Sequence, residues 1–257
     1  MMLPDTSRLE FDPKAHCYKL DGKLLSGVTS VIDGTSSKQN LIQWAADMAV
    51  DYVKDNATGV IGADDWYVKD HVLEEARKAH TRKKENAATK GTDTHALVEE
   101  YVKKCIATTG GVPALLPDNE VIQPFVDWAQ RRVMQFICSE QRVFSEKKAT
   151  AGTLDIAYID KDGLFTLGDV KSFPKLWSVD PYHQLGGYAG MWRELTGDCP
   201  QRTSVIKICD PQDPRLKKYG TKAFMVYERN AVEEDIAAFD MRLSLYRSMQ
   251  NFVSPNE

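Results

Sequence analysis

Gly152-Thr-Leu-Asp155-Ile-Ala-Tyr-Ile159-Asp-Lys-Asp162-Gly163-Leu164-Phe-Thr-Leu-Gly-Asp169-Val170-Lys171 contains two alternating apolar runs, Thr153 to Ile159 and Leu164 to Val170, divided by an Asp-Gly pair. Both runs are rich in β-formers, which is the signature of a β-hairpin. Strand side chains alternate between faces, so Asp169 and Lys171 point one way and Val170 points into the opposite layer. Asp155 can join the first two from the neighbouring strand. Two carboxylates converging from adjacent strands make a hard oxygen site suited to Mg²⁺ or Mn²⁺. An ammonium beside them can orient or help deprotonate an attacking water and offset charge on a pentavalent phosphorane. The metal would lower the pKa of that water and polarise the phosphoryl oxygen.

An acid-x-Lys triplet is common by itself. The chain repeats it at Asp12-Pro-Lys14, Asp21-Gly-Lys23 and Glu146-Lys-Lys148, where a surface ion pair is the ordinary reading. Around Asp169-Val-Lys171 the setting differs. An apolar strand encloses the triplet, Gly-Thr-Leu-Asp155 precedes it, and a helix expected over Pro181 to Leu195 follows. That helix puts Gln184, Tyr188, Met191 and Leu195 on one stripe. Gln184 and Tyr188 can therefore hydrogen-bond a phosphate together, or form a packing pair with satisfied polar ends. Upstream, His95 and Glu99 share a helical face four residues apart; a histidine so placed is ordinarily a hydrogen-bonded core residue.

Taken in order, these segments resemble a known family. Lys90-Gly-Thr-Asp-Thr-His95-Ala-Leu-Val-Glu99, Gly152-Thr-Leu-Asp155, Gly168-Asp-Val-Lys171 and Gln184-Leu-Gly-Gly-Tyr188 are similar to the four motifs of the RecB-type branch of the PD-(D/E)xK nuclease superfamily. The likeness runs over roughly residues 26 to 190. Val28-Thr-Ser-Val31 and Trp44-Ala-Ala look most like phage members and the mitochondrial genome maintenance exonuclease. The resemblance implies an α/β (α+β) fold with a restriction-endonuclease-like core: a central mixed sheet flanked by helices, with an N-terminal helical lobe over 26–118 and the sheet core over 119–257. It implies that His95 is a metal ligand that favours Mn²⁺ beside Mg²⁺. Glu99 would then orient the histidine or a metal-bound water. Glu140 stands where members often carry a further acid; alternatively it is a surface glutamate at a strand start.

Composition is that of an ordinary soluble domain, with 42% hydrophobic and 27% charged residues in 257. No apolar run approaches the ~18 residues of a membrane span. The N-terminus has no secretory pattern, so the cytosol is expected. Five scattered cysteines, Cys17, Cys105, Cys138, Cys199 and Cys209, argue against a disulfide framework. Some relatives carry a four-cysteine iron-sulfur cluster, but Cys199 and Cys209 have no close partner, so no cluster is expected. The net charge of −4 does not advertise nucleic-acid binding, and a local basic patch would suffice for phosphate contacts. The candidates are Arg82-Lys-Lys84 with Lys90, Lys147-Lys148, and Arg215-Leu-Lys-Lys218.

Along the chain, residues 1 to 10 read as a frayed end and His16 to Leu25 as a small hairpin around Asp21-Gly22. Helices are expected over Asn40–Lys54, Asp64–Lys84, Asn86–Cys105 and Asn119–Ile137, with a loop from Thr108 to Asp118. Trp44 either packs in the core or stacks on a base. A strand opens at Glu140. Arg202–Cys209 and Thr221–Glu228 extend the sheet across a basic turn, and a helix over Val232–Met249 closes the fold. The expected activity is hydrolysis of phosphodiester bonds in DNA, as an exonuclease on a single strand or duplex end, with His95, Asp155, Asp169 and the Val170 carbonyl holding one or two ions. The resemblance implies a 5′-phosphate product and a role in phage or prophage recombination or repair. Two alternatives stay open: a non-catalytic DNA-binding or assembly module, and an RNA or nucleotide phosphohydrolase.

Overall fold

The computed structural model describes residues 2–37, 39–59, 66–114, 120–176 and 178–251; the side chains of 39–41, 58–59, 66–67 and 83–93 lie outside that description. The chain divides into two compact units, Met1–Thr35 with Thr94–Glu257, and Ser36–Asp93.

Strands Leu9–Asp12 (β1), Cys17–Leu20 (β2) and Lys23–Gly27 (β3) form an antiparallel meander. Asp21 and Gly22, at φ 49° and 78°, supply the two left-handed residues that a tight hairpin needs. The expected hairpin is present. Order begins earlier than expected, because Leu9 pairs with Leu20 and is 5% exposed; an apolar side chain with a buried partner does not fray. Helix Val28–Thr35 (α1) follows at once.

The smaller unit holds Gln39–Asn56 (α2), the short antiparallel pair Thr58–Gly59 (β4) and Trp66–Tyr67 (β5), and the first part of Asp70–Thr109 (α3). Two helices were expected where α3 is one. Its 40 residues contain no proline and a single glycine, and one glycine costs only about 1 kcal/mol in a helix.

Helix Gln123–Arg132 (α4) starts with Pro124 in its first turn, where a missing N–H is harmless. It stops well before the expected end at Ile137. Val133–Ser145 is instead a strand (β6), and register shifts fall between Val133 and Gln135 and between Phe136 and Cys138. The first of these bulges puts Val133 and Phe136, three residues apart, into the same core, which imitates a helical stripe in the sequence. Glu140 consequently lies inside a strand rather than at its start.

Thr150–Asp160 (β7) and Phe165–Lys171 (β8) are the expected hairpin, with Gly163 left-handed at φ 81° in the turn. Helix Asp180–Thr196 (α5) ends on Gly197 at φ 82°. Then come Arg202–Ile208 (β9), Pro214–Tyr219 (α6), Phe224–Arg229 (β10) and Val232–Gln250 (α7). The basic turn is thus a short helix, capped where Asp213 accepts the Arg215 N–H at 2.9 Å.

The sheet order is β1-β2-β3-β7-β8-β9-β10, with β6 also on β7. Pairs β3–β7 and β8–β9 are parallel and the others antiparallel, so the sheet is mixed. One core contains Val28, Leu154, Leu167, Leu185, Trp192 and Phe239, tying α1, α5 and α7 to the sheet. A second contains Val98, Tyr101, Phe125, Trp128, Ile156 and Val170, from the end of α3, α4 and the sheet. The expected central mixed sheet flanked by helices is what the chain forms. Pairing of β7 with β8 stops at Ile156–Gly168, whereas β7 runs on with β6 as far as Thr150. Asp155 sits where the strands part.

Candidate metal centre

Three side chains gather at that fork. His95 from α3, Glu140 from β6 and Asp155 from β7 each offer a ligand atom, and these atoms lie within 4.8 Å of one another. Register explains the two acids: Ser139 pairs with Ile156 and Gln141 with Leu154, so Glu140 stands directly across from Asp155. Glu140 has a left-handed backbone at φ 51°. A non-glycine residue in that region is uncommon and costs of order 1–3 kcal/mol, and it re-aims the Glu140 side chain within a continuous strand. His95 Nδ1 is 3.6 Å from Asp155 Oδ2, too long for a hydrogen bond. That oxygen instead accepts the Val170 N–H at 2.6 Å, bridging the gap between the parted strands. Val170 itself points into the second core.

Asp169 and Lys171 face the other way, as alternation requires. Lys171 Nζ lies 2.7 Å from Asp169 Oδ1 and 2.7 Å from Oδ2. Its N–H geometry satisfies only Oδ1, and Oδ2, buried in a carboxylate 1% exposed, has no hydrogen-bond donor. Burial, opposed by Lys171 and reinforced by Asp155, pushes the Asp169 carboxyl up to about 7. Burial, with Asp155 and Glu99 adding to it, pushes Glu140 up to about 7 as well. Burial works against the Lys171 ammonium, yet Asp169, Asp155 and Asp33 together hold its pKa above the ordinary value. Crowded, desolvated carboxylates are an arrangement that a bound cation would relieve. One imidazole and hard oxygens fit a divalent ion of the Mg²⁺ or Mn²⁺ type.

The remaining candidates stand nearby. Glu99 is paired with Lys103 on the same helix and its charge reaches Glu140. Gln184 Nε2 donates to Tyr188 Oη at 2.9 Å, so the pair acts first on itself. Tyr188 is buried against Gly152, where a Cβ would come within 2.6 Å of its ring. Lys148 pairs with Asp240, Arg215 with Asp213, and Arg82 with Glu75 while lying over the Tyr52 ring. The side chains of Lys83, Lys84 and Lys90, the motif residues Gly91 and Thr92, the loop stretch 115–118 and Trp177 fall outside the described residues. Trp44 is half-buried on α2.

No family model and no curated protein matches the chain. Among solved structures, an alkaline exonuclease (LHK-Exo) from Laribacter hongkongensis aligns over 88% of this chain and 87% of that one, with 10% identity and a TM-score of 0.38. LHK-Exo in complex with dAMP aligns over the same shares, with 13% identity and a TM-score of 0.36. Likeness at that level says nothing about the site, which stands on its own side chains.

Sequence reasoning missed Asp33, whose charge reaches Lys171 from α1. It lies just beyond Val28-Thr-Ser-Val31, and nothing in the local pattern marks it. The exchange of Asp169 for Glu140 in the tightest three-residue cluster could have been found from strand register, had the β6 bulges been recognised.

Proposed function

We propose that the chain is a divalent-metal-dependent deoxyribonuclease of the RecB-type PD-(D/E)xK branch, acting as an exonuclease on a single strand or duplex end of DNA. The observation that carries this is the meeting of His95, Glu140 and Asp155 within 4.8 Å, beside an Asp169–Lys171 pair. His95, Glu140 and Asp155 would hold the ion, with Asp169 and the Val170 carbonyl as further ligands. A Mg²⁺ or Mn²⁺ ion held there would lower the pKa of a water and polarise a phosphoryl oxygen.

The chain's own groups do the rest. Lys171, kept protonated by the acids around it, orients the attacking water and stabilises charge on the transferring phosphoryl oxygens. Asp169 fixes the ammonium in place. Glu99, four residues on from His95 along the helix, orients the imidazole or a metal-bound water. Gln184, braced by Tyr188, presents its amide to a phosphate oxygen. Work in recombination, repair or replication of a phage or prophage genome, in the cytosol, fits the sequence resemblance.

The test is digestion of end-labelled linear and circular DNA with Mg²⁺ or Mn²⁺, with chelator, and with Lys171→Ala. Chelator should abolish cleavage, and Lys171→Ala should slow it by about a hundredfold or more. Circular single strands should resist digestion. An unchanged rate for Lys171→Ala contradicts the assignment.

A further inference from the structure

Beyond Asp155, β7 turns Gly152 and Leu154 toward the first core: a Cβ on Gly152 would meet Tyr188 and Val28, and Leu154 is fully buried there. Thr153, between them, therefore faces the opposite way. Its Oγ1 is 2.8 Å from Tyr18 Oη on β2. Thr153 pairs directly with Arg142 on β6, and Tyr18 pairs directly with Phe11 on β1. Directly paired residues share a face, so Arg142, Phe11 and Tyr18 meet at one place. The Arg142 guanidinium lies over the Phe11 ring, 5.4 Å from its centroid. Phe11 leans on Tyr18 at 4.8 Å and meets His16 edge-on at 6.1 Å.

Arg142 is exposed. Arg8, Arg132, Arg193, Arg202, Arg215 and Arg229 each hold a carboxylate, whereas among the described residues Arg142 has no carboxylate within ion-pair distance. One face of its guanidinium is braced by Phe11, which leaves the other face and the N–H edge open. Arg142 is two residues from Glu140 and Thr153 is two from Asp155, so this shelf begins about 7 Å from the acids, given the rise of a strand. That is the reach of one nucleotide of an unstacked strand. A pre-oriented, unpaired guanidinium flanked by aromatic rings and hydroxyls suits a phosphodiester backbone whose bases are free to stack.

We propose that Arg142, braced by Phe11, holds the backbone phosphate next to the one positioned at Glu140 and Asp155, and so receives single-stranded DNA into the metal centre. This rests on the DNA-cleaving reading above. Tyr18 and His16 offer the ring surfaces along which the adjoining base lies.

The experiment is fluorescence anisotropy of a labelled single-stranded oligonucleotide on the full chain, with Ca²⁺ replacing Mg²⁺ to hold off cleavage, over a range of salt. Arg142→Ala should weaken binding about tenfold, alike for every base sequence, and flatten the salt slope by about one phosphate contact. Arg142→Lys should restore the slope, and Phe11→Leu should lose part of the affinity. Mn²⁺ titration followed by electron paramagnetic resonance should give the same midpoint for Arg142→Ala as for the parent. Parental affinity and slope in Arg142→Ala overturn the assignment, and so does a shifted Mn²⁺ midpoint, which would place the effect at the metal. Should the parent chain bind Mn²⁺ and cleave bis(p-nitrophenyl) phosphate but ignore the oligonucleotide, the Arg142 role is lost and the metal centre stands. Absence of both Mn²⁺ binding and diester cleavage removes the underlying reading as well.

Discussion

Asp155 and Val170 belong to strands that have ceased to pair, and the Asp155 carboxylate closes the gap by accepting the Val170 N–H at 2.6 Å. One oxygen atom thus serves the backbone while lying 3.6 Å from His95. The two roles are separable. Asp155→Asn keeps an oxygen for the amide and discards the charge, so it should fold normally and lose more than about tenfold in Mn²⁺ affinity. Asp155→Ala also strands a buried N–H, which should cost a further ~1–3 kcal/mol. Calorimetric metal titration and urea unfolding of the two variants check this; equal stability of both would remove the bridging role.

The raised carboxyls make metal binding depend on pH in a defined direction. Glu140 and Asp169 both sit at about 7, above their usual 4.5 and 3.8. A carboxyl whose folded pKa is raised favours the folded state while protonated, and that contribution disappears as pH climbs from its unfolded value to about 7. In chelator, the parent should therefore lose stability relative to Glu140→Gln between roughly pH 4.5 and 7. With Mn²⁺ the stabilisation by metal should grow through the same window, because the ion competes with those protons. Melting temperatures of both proteins, with and without Mn²⁺, from pH 4.5 to 8 provide the measurement.

Helix α5, which carries Gln184 and Tyr188, crosses α7 at Gly186. A Cβ there would sit 2.2 Å from the Asp235 carbonyl oxygen, and backbone cannot step aside as a side chain can. Gly186→Ala should destabilise by about 1–3 kcal/mol or more. Gly190→Ala, one turn on, would meet Ile236 at 3.5 Å. That is ordinary contact, so the gain in helix propensity, about 1 kcal/mol, should leave it neutral or stabilised. Guanidinium unfolding should rank the two in that order.

Lys171 neutralises an Asp169 carboxylate that is 1% exposed. Lys171→Met should make Asp169 take up a proton at higher pH still, and Lys171→Met with Asp169→Asn should recover stability lost by the single change, since removing both charges costs less than leaving one buried. Cleavage should stay down by about a hundredfold or more in the double variant. Recovery of cleavage along with stability would mean that the lysine only neutralises its neighbour.

The hairpin, its Asp-Gly turn and the shared face of Asp169 and Lys171 were readable because strand alternation and turn chemistry are local. The helix bearing Gln184 and Tyr188 was readable for the same reason. What escaped depended on distant partners. Val133 and Phe136 look helical until the bulges that shift their register are seen. Leu9 looks like a loose end until Leu20 is placed across from it. Glu140 joined His95 and Asp155 through a left-handed backbone that no residue type announces. Arg142 and Phe11 are far apart in the chain, and only the pairing of five strands, β1-β2-β3-β7-β6, brings them together.

The parallel contact of β3 with β7, at Ser26–Thr150 and Gly27–Ala151, has a bearing on how the molecule comes to be made. During translation the amino-terminal meander leaves the ribosome long before its docking strand exists, so it must wait as an unattached fragment. Joining it is a closure over nearly half of the polypeptide, from Ser26 to Thr150, which by topology is slow. A nascent chain halted before β7 emerges would carry His95 and Glu140 without Asp155, so the three-residue cluster is complete only once that strand has been made.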